Sequence, residues 1–431
     1  MRVLVLGAYG LIGQAIVREL LVRGDVVAGL ARNVERGRQL IAEVNWLPGD
    51  LNYLLHVKDW EPLLVDVDAV VNASGALQSG LKDNLVLVQR DAIVALVAAC
   101  QRAKVKGFVQ VSAPGAGEQA VTEFLRTKGQ ADAALRASDL DWVILKPGLV
   151  VSQTAYGGTS LLRMLAAFPL VQPVALPEAR LQTIDVKDVA RAAVRAVGDP
   201  GLARKEFDLV APQAHTLQNI VLAFRDWLGF SKPTAIWCLP DWLAGLVSRF
   251  ADAAGLLGWR SPLRTTALQV LADDVIGDPG PWRRATGRDF KSLSDTLREM
   301  PATRQERVFA RTQLVFPVLV VIYAGFWIAS GVIGLWQSEA AAGILADAIG
   351  KFGGDLSVMA GSLIDILVGV GLCVRRCFVP ACLAAIAVSL TYLLAGSILT
   401  PILWADPLGP FVKVAPVVAL SMALIAMVEE R

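Results

Sequence analysis

The stretch that most constrains this chain is residues 3–13, V-L-V-L-G-A-Y-G-L-I-G. Val3 to Leu6 is an apolar run of the kind that forms a strand buried on both faces. Gly7, Gly10 and Gly13 then interrupt it. A helix follows over about residues 11–23, with Ile12, Ala15, Ile16, Leu20 and Leu21 on one face and Arg18, Glu19 and Arg23 off it. Strand, glycine turn and helix together make a place for a pyrophosphate: Gly7 permits the tight turn, Gly10 lets backbone approach the phosphates, and Gly13 lets helix pack on strand. The helix N-terminus adds free N–H donors and the positive end of a dipole. A bare glycine pattern is weak, but between an apolar strand and an amphipathic helix it reads as a dinucleotide site. Gly7, Tyr9, Gly10, Leu11, Ile12 and Gly13 are its candidate residues.

Residues 26–30 form a second short apolar strand, ending at Ala31-Arg32-Asn33. In a dinucleotide fold this end meets the adenosine ribose, where an acidic side chain holds the 2′-hydroxyl and a basic one accommodates a 2′-phosphate. Arg32, with Arg36 and Arg38 behind it, points to NADP(H) in preference to NAD(H); the competing reading is three solvated arginines at a helix start. Further strands are expected at residues 44–47, closed by Gly49-Asp50-Leu51, and at 69–71, running into Asn72-Ala73-Ser74-Gly75. Two more are expected at 107–111, ending in Ser112, and at 142–145, ending in Lys146-Pro147-Gly148. Helices are expected over about 84–102 and 118–136. Strands and helices alternating at this rhythm give an α/β fold with a doubly wound parallel sheet. Asp50, Leu51, Ala73, Ser74 and Pro147 stand at strand ends where a cofactor would lie.

The composition divides the chain in two. It has 41 Lys and Arg and 39 Asp and Glu in 431 residues, but only 12 of these charges lie in residues 314–431. A net charge of +2 gives no reason to expect nucleic acid. The apolar start is a strand with glycines rather than a secretory leader, so a cytoplasmic N-terminus is expected. Five cysteines form no secreted-type framework, and Cys373 and Cys377, with no third ligand in view, do not make a metal site.

Gly7-x-x-Gly10-x-x-Gly13, Gly49-Asp50-Leu51, the Asn72 to Gly75 loop, Ser112 and Lys146-Pro147-Gly148 stand in the order found in the short-chain dehydrogenase/reductase superfamily. Residues 1–230 resemble its extended or atypical branch, the NmrA-like and complex-I-accessory-like members. The resemblance implies a Rossmann domain that binds NAD(P), with Ser112 and Lys128 as catalytic candidates and Lys128 also holding the nicotinamide ribose. The superfamily's Tyr-x-x-x-Lys reads here Phe124-Leu-Arg-Thr-Lys128. Phenylalanine has no ionisable group, so the usual acid/base step cannot run at that position.

Gln182 to Ala192, Glu206 to Pro212 and Thr216 to Ile220 resemble the C-terminal lobe of extended members, which roofs a substrate pocket. Asp185 and Asp188 read as helix-start caps rather than catalysts, and His56 and His215, without nucleophile or ligand partners nearby, read as plain polar residues. Residues 237–313 change character, mixing Trp237, Trp242, Leu243, Leu246, Phe250, Leu256 and Trp259 with Asp241, Arg249, Asp252 and Arg260. This is either lobe core or an amphipathic, interfacial linker.

Four apolar stretches follow, at residues 314–336, 356–374, 378–399 and about 411–428; roughly 20 residues cross a bilayer core. Arg304, Arg307 and Arg311 precede the first and Arg375-Arg376 separate the second and third. The positive-inside rule therefore places both termini of a multi-pass cytoplasmic-membrane protein inside. Four such spans after a reductase-like domain resemble the DoxX-like membrane module, whose relatives are linked to quinone-coupled redox. Asp365, near the middle of the second span, is too costly to face lipid as a charge. Either it pairs with Lys413, or Lys413 snorkels outward while Asp365 bonds a neighbouring Ser or Thr.

The expected organisation is thus residues 1–236 for cofactor domain and lobe, 237–313 for the linker, and 314–431 for the four-helix membrane domain. Two functions remain open. One is an oxidoreductase passing hydride from NADP(H) to a lipid-soluble, quinone-like acceptor. The other is a non-catalytic NADP(H)-binding sensor or membrane-complex assembly module. The sequence leaves substrate, oligomeric state and activity unassigned.

Overall fold

A computed structural model describes residues 1–75, 84–259, 261, 263–407 and 409–428. The chain divides into two compact units, Met1–Asp252 with Ser261–Arg307, and Ala253–Arg260 with Val308–Arg431. The stretch 237–313 is therefore shared between them.

In the first unit seven strands make one parallel sheet: β1 (Arg2–Leu6), β2 (Val26–Ala31), β3 (Asn45–Pro48), β4 (Ala69–Asn72), β5 (Gly107–Val111), β6 (Asp141–Pro147) and β7 (Lys205–Leu209). Their order is β7-β6-β5-β4-β1-β2-β3. Alternation along β1 sends Val3 and Val5 to one face and Leu4 and Leu6 to the other, and each face has its own core. Helix α1 (Leu11–Arg23) lies on the first face and ends at Gly24, whose φ of 88° closes the helix through bonds to Leu20 and Leu21. A short α2 (Val34–Leu40) starts on Asn33, whose side chain accepts from Arg36 N–H, and α3 (Val57–Trp60) starts at His56. The second face carries α4 (Ala92–Arg102) and α5 (Glu123–Arg136).

Two expected helices start later than their apolar pattern. The one expected from residue 84 opens as a π-turn over Val86–Asp91 before α4. The one expected from 118 begins at Glu123, because Thr122 accepts from Leu125 N–H and caps it there. A larger correction concerns residues 206–212, read above as lobe: Lys205–Leu209 is the seventh strand of the main sheet, paired with β6.

Beyond the sheet come α6 (Gly157–Ala166), α7 (Val186–Gly198), α8 (Leu217–Trp227), α9 (Asp241–Leu256), α10 (Thr265–Ala272), α11 (Gly280–Thr286) and α12 (Leu293–Glu299). Asp185 is the N-cap of α7, accepting from Lys187 N–H, and also receives Lys291 at 3.0 Å. Asp188 lies in the first turn, 3.5 Å from Arg191. His215 sits in a short strand ahead of α8.

The second unit contains α13 (Arg304–Trp336, entering it at Val308), α14 (Ser338–Cys373), α15 (Phe378–Leu399) and α16 (Val414–Met427). Three of these helices are long and apolar enough to cross a membrane; α16, at 14 residues, is apolar but shorter. In α14 the backbone leaves helical geometry at Gly350, with φ 76° and ψ 163°. Helices α13 and α14 approach through glycines: a Cβ at Gly331 would strike the Ser362 carbonyl, and one at Gly369 would lie 2.9 Å from the Ala324 carbonyl. Tyr323 on α13 bonds Ser421 on α16 across 2.5 Å.

Candidate cofactor and reaction site

The strand order reverses between β1 and β4, so the crevice beyond their carboxyl ends is where an open α/β sheet takes a ligand. The glycine turn occupies this place. Gly7 has φ +69°, and a Cβ there would stand 2.7 Å from the Ala73 carbonyl and 2.9 Å from Ser74 Cα. The turn thus lies directly against the loop after β4, bringing Ala73 and Ser74 to it. A Cβ on Gly13 would collide with the Gly7 carbonyl, so α1 packs closer than any side chain permits. Gly10 is the N-cap of α1; no side chain caps it, and no acidic residue stands in the first turn. The first N–H groups of α1, from Leu11 and Ile12 on, are left for an anion, and the cradle fits a dinucleotide pyrophosphate.

The surrounding polar groups hold the loops in place. Asn72, buried, donates to Gln110 at 2.9 Å and accepts from the Ser74 hydroxyl at 2.5 Å and the Ser74 N–H at 3.0 Å. Asp50 accepts from Asn52 N–H and Nδ2, at 3.0 and 2.8 Å, ordering the turn that carries Leu51. Tyr9 lies 6.0 Å from the Trp46 ring. Arg32 is exposed just past the end of β2. Pro147 is the buried last residue of β6.

Ser112 and Lys128 come together with a residue that the sequence reading did not single out. Lys128 is buried and donates from Nζ to the Val111 carbonyl at 2.9 Å; its Nζ stands 5.8 Å from the Phe124 ring centroid. Ser112 Oγ donates to Asp132 at 2.5 Å, and Asp132, one turn after Lys128, is wholly buried. Burial pushes the Lys128 amine down, opposed by the Asp132 charge. Burial pushes the Asp132 carboxyl up, opposed by the Ser112 bond and by Lys128. The four-residue spacing from Lys128 to Asp132 places both on one face of a helix and was the available signal. A cavity of about 260 Å³ lies against Phe124, lined also by Leu85, Glu123, Asp252, Arg264, Thr265 and Thr266.

Comparison with known proteins agrees with this geometry. Residues 7–200 match the NAD(P)H-binding family, and residues 324–422 match the DoxX-like family. The UPF0659 protein YMR090W of Saccharomyces cerevisiae is 30% identical over 180 residues, which is 38% of this chain and 75% of that protein. The chain belongs to the NAD(P)H-binding family and carries a DoxX-like domain.

Two further relatives have informative names. The photosystem II assembly factor Ycf39 of Synechocystis is 29% identical over 224 residues, 51% of this chain and 66% of that protein. The NAD(P)H azoreductase of Xenophilus azovorans is 27% identical over 213 residues, 49% of this chain and 68% of that protein. Among solved structures, the Citrobacter triphenylmethane reductase complexed with NADP(H) is 17% identical with a TM-score of 0.54, over 70% of this chain and 100% of that one; the likeness is one of fold. A Rossmann-type sheet, a nicotinamide dinucleotide cofactor and an association with membrane follow for this chain.

In the DoxX-like domain, Asp365 is buried and its carboxylate accepts from Ser330 on α13 at 2.8 Å and from Tyr392 on α15 at 2.9 Å. Of the two readings of this residue, the ion pair with Lys413 is not formed, Lys413 being exposed at the N-cap of α16, and the bond to a neighbouring serine is, through Ser330. The two hydroxyls tie α14 to both of its neighbours.

Proposed function

We propose that the protein is an NADP(H)-dependent oxidoreductase of the cytoplasmic membrane that passes hydride to a lipid-soluble, quinone-like acceptor. The observation that carries this reading is Phe124 beside Lys128 at the edge of an open cavity. A ketone reduced by hydride becomes a strongly basic alkoxide and needs a good acid beside it. A quinone becomes a phenolate, of basicity near that of tyrosine, roughly pKa 10, which ordinary donors or water can protonate. A site that keeps its lysine and replaces its phenol with an apolar ring suits the second class. The membrane-length helices in the same chain accord with an acceptor that lives in lipid.

The bound cofactor supplies the hydride; the chain's residues hold it. In this reading the α1 N-terminus takes the pyrophosphate, Arg32 the 2′-phosphate, and Lys128 the nicotinamide ribose. The loop at Arg375-Arg376 faces the cytoplasm, and residues 339–355 and 400–410 face outward. Single cysteines placed in those two segments of a cysteine-free protein should label with an impermeant reagent in intact cells; labelling at position 375 instead reverses the orientation. Helix α9 lies at the bilayer surface, because Trp242, Leu246 and Phe250, at spacings of four, are exposed to 71%, 44% and 69%.

The test is the purified protein in detergent with NADPH, followed at the reduced-nicotinamide absorbance with and without a short-chain quinone. Quinone-dependent loss of absorbance supports the reading. Tight NADPH binding without turnover for any quinone favours the other class, a cofactor-bound assembly module, in keeping with the name of the Ycf39 relative.

A further inference from the structure

Asp132 is 0% exposed. One of its carboxyl oxygens is joined to Ser112 Oγ at 2.5 Å, and the other has no hydrogen-bond partner in its buried position. A buried carboxylate normally collects several donors, because an unpartnered charged oxygen is costly. The charged groups facing it do not fill that need. Lys128, on the same helix, spends a donor on the Val111 carbonyl. Arg136, one turn further on, and Lys146, from β6, are both engaged with Glu206 on β7. A carboxylic acid fits this setting better than a carboxylate: its own proton can go to Ser112 Oγ, which frees the serine hydroxyl hydrogen.

Ser112 is placed to use that freedom. Asn72 on β4 is in register with Gln110 on β5, so Ser74 and Ser112, each two residues further, stand level at the carboxyl edge where the glycine turn lies. Lys128 Nζ is in the same place, since a Cβ on Gly75 would lie 3.5 Å from it.

We propose that Asp132 is a proton store that acts through Ser112 and supplies the proton that the oxygen of the reduced acceptor takes up. The inference rests on the oxidoreductase reading above. In the step, the acceptor gains an electron pair with the hydride from the reduced cofactor, and its oxygen takes the hydroxyl proton of Ser112. The O–H bond of Asp132 breaks as the Ser112 O–H bond is remade, leaving a carboxylate beside the Lys128 ammonium. Solvent returns one proton to Asp132 before the next turnover. Asp132 never touches the acceptor and is a positioning and proton-holding residue.

Two measurements on the full-length protein test this. Infrared spectra of the cofactor-free protein at pH 7 should contain a carboxylic-acid C=O band that disappears in Asp132→Asn and shifts in Ser112→Ala, where the hydrogen-bond partner is removed. If neither variant changes the acid region, Asp132 is ionised and the proposal is overturned, whatever the activity. Stopped-flow oxidation of NADPH by a soluble benzoquinone should then slow as pH rises and Asp132 loses its proton. In Asp132→Asn the rate should drop about tenfold and lose both this pH limb and its solvent deuterium effect. Asp132→Glu should restore part of the rate and the limb, and Ser112→Ala combined with Asp132→Asn should be no slower than either alone. Wild-type turnover with an unaltered pH limb in Asp132→Asn overturns the relay but leaves the oxidoreductase reading. Absence of turnover in the wild type overturns both.

Discussion

Lys128 Nζ stands 5.8 Å from the centre of the Phe124 ring, so the amine faces an aromatic surface at the position where the Tyr-x-x-x-Lys signature has a phenol. Phe124→Tyr puts a hydroxyl on this ring. The variant should bind NADPH as the wild type does and gain slow reduction of small ketones, measurable as ketone-dependent NADPH oxidation. Ketone reduction at ordinary enzyme rates by the unmodified protein would contradict the role given to this ring.

Arg32 stands just past the end of β2, and the function proposed above gives it the 2′-phosphate of the cofactor. A charge-assisted contact there is worth about 1.5–3 kcal/mol. Calorimetry should show NADPH bound more tightly than NADH, with Arg32→Ala weakening NADPH alone. Equal affinities in the wild type would remove the preference.

Glu206 joins α5 to the sheet edge through Arg136 and Lys146. The Arg136 bond, opposed by partial burial and helped by Lys146, holds its carboxyl down at about 2 against an ordinary 4.5. A depressed carboxyl stabilises the fold fully above its unfolded value and loses that contribution as pH falls from about 4.5 toward 2. Glu206→Gln should therefore cost roughly 2 kcal/mol at pH 7, allowing for solvent screening. The gap to wild type should close across that acid window in urea titrations; a gap independent of pH would refute the assignment.

In the DoxX-like domain, Ser330→Ala and Tyr392→Phe should each destabilise by about 0.6 kcal/mol, the usual size of an interhelical hydrogen bond in a membrane. Asp365→Leu should cost more than either, since it removes the acceptor of Ser330 and one of the two acceptors of Tyr392, whose hydroxyl also reaches the Gly361 carbonyl at 3.0 Å. Unfolding in mixed micelles measures all three. A variant of Lys413 should leave these values unchanged; coupling between Lys413 and Asp365 in a double-mutant cycle would bring back the ion pair.

On α9, a fluorophore attached at residue 242, 246 or 250 of the protein in lipid nanodiscs should be quenched by brominated lipid. One at buried Ser248 should not. Quenching by aqueous iodide at 242, 246 and 250 instead would take the helix off the bilayer surface.

The glycine turn was legible because Gly7 and Gly13 answer a purely local demand, a backbone approach that no Cβ fits. The strand at Gly107–Val111 and the helix at Phe378–Leu399 begin and end where apolar runs do. What the sequence hid depends on distant partners. Lys205–Leu209, with three charges in five residues, reads as surface until β6 lies beside it. Asp132 could have been paired with Lys128 by spacing, but its bond to Ser112 joins residues 20 positions apart. For Asp365 the sequence left Lys413 and a neighbouring Ser or Thr both open and could not name Ser330 or Tyr392, because hydroxyls carry no charge pattern to read.

Because the chain passes between its two units at residues 252, 260 and 307, protein synthesis delivers the first unit in instalments. Trp282, which meets Phe207 edge-on and stacks on Phe290, and Lys291, which bonds Asp185, emerge only after the excursion through 253–260. Trp259, inside that excursion, must wait longer, for Phe316 and Phe378. The nascent cofactor unit therefore finishes folding with a short stretch of chain, the end of α9 included, still waiting for partners not yet made. No single cut in the backbone can release either unit whole, which makes this chain a poor candidate for separation by limited proteolysis or for exchange of its membrane part by simple fusion.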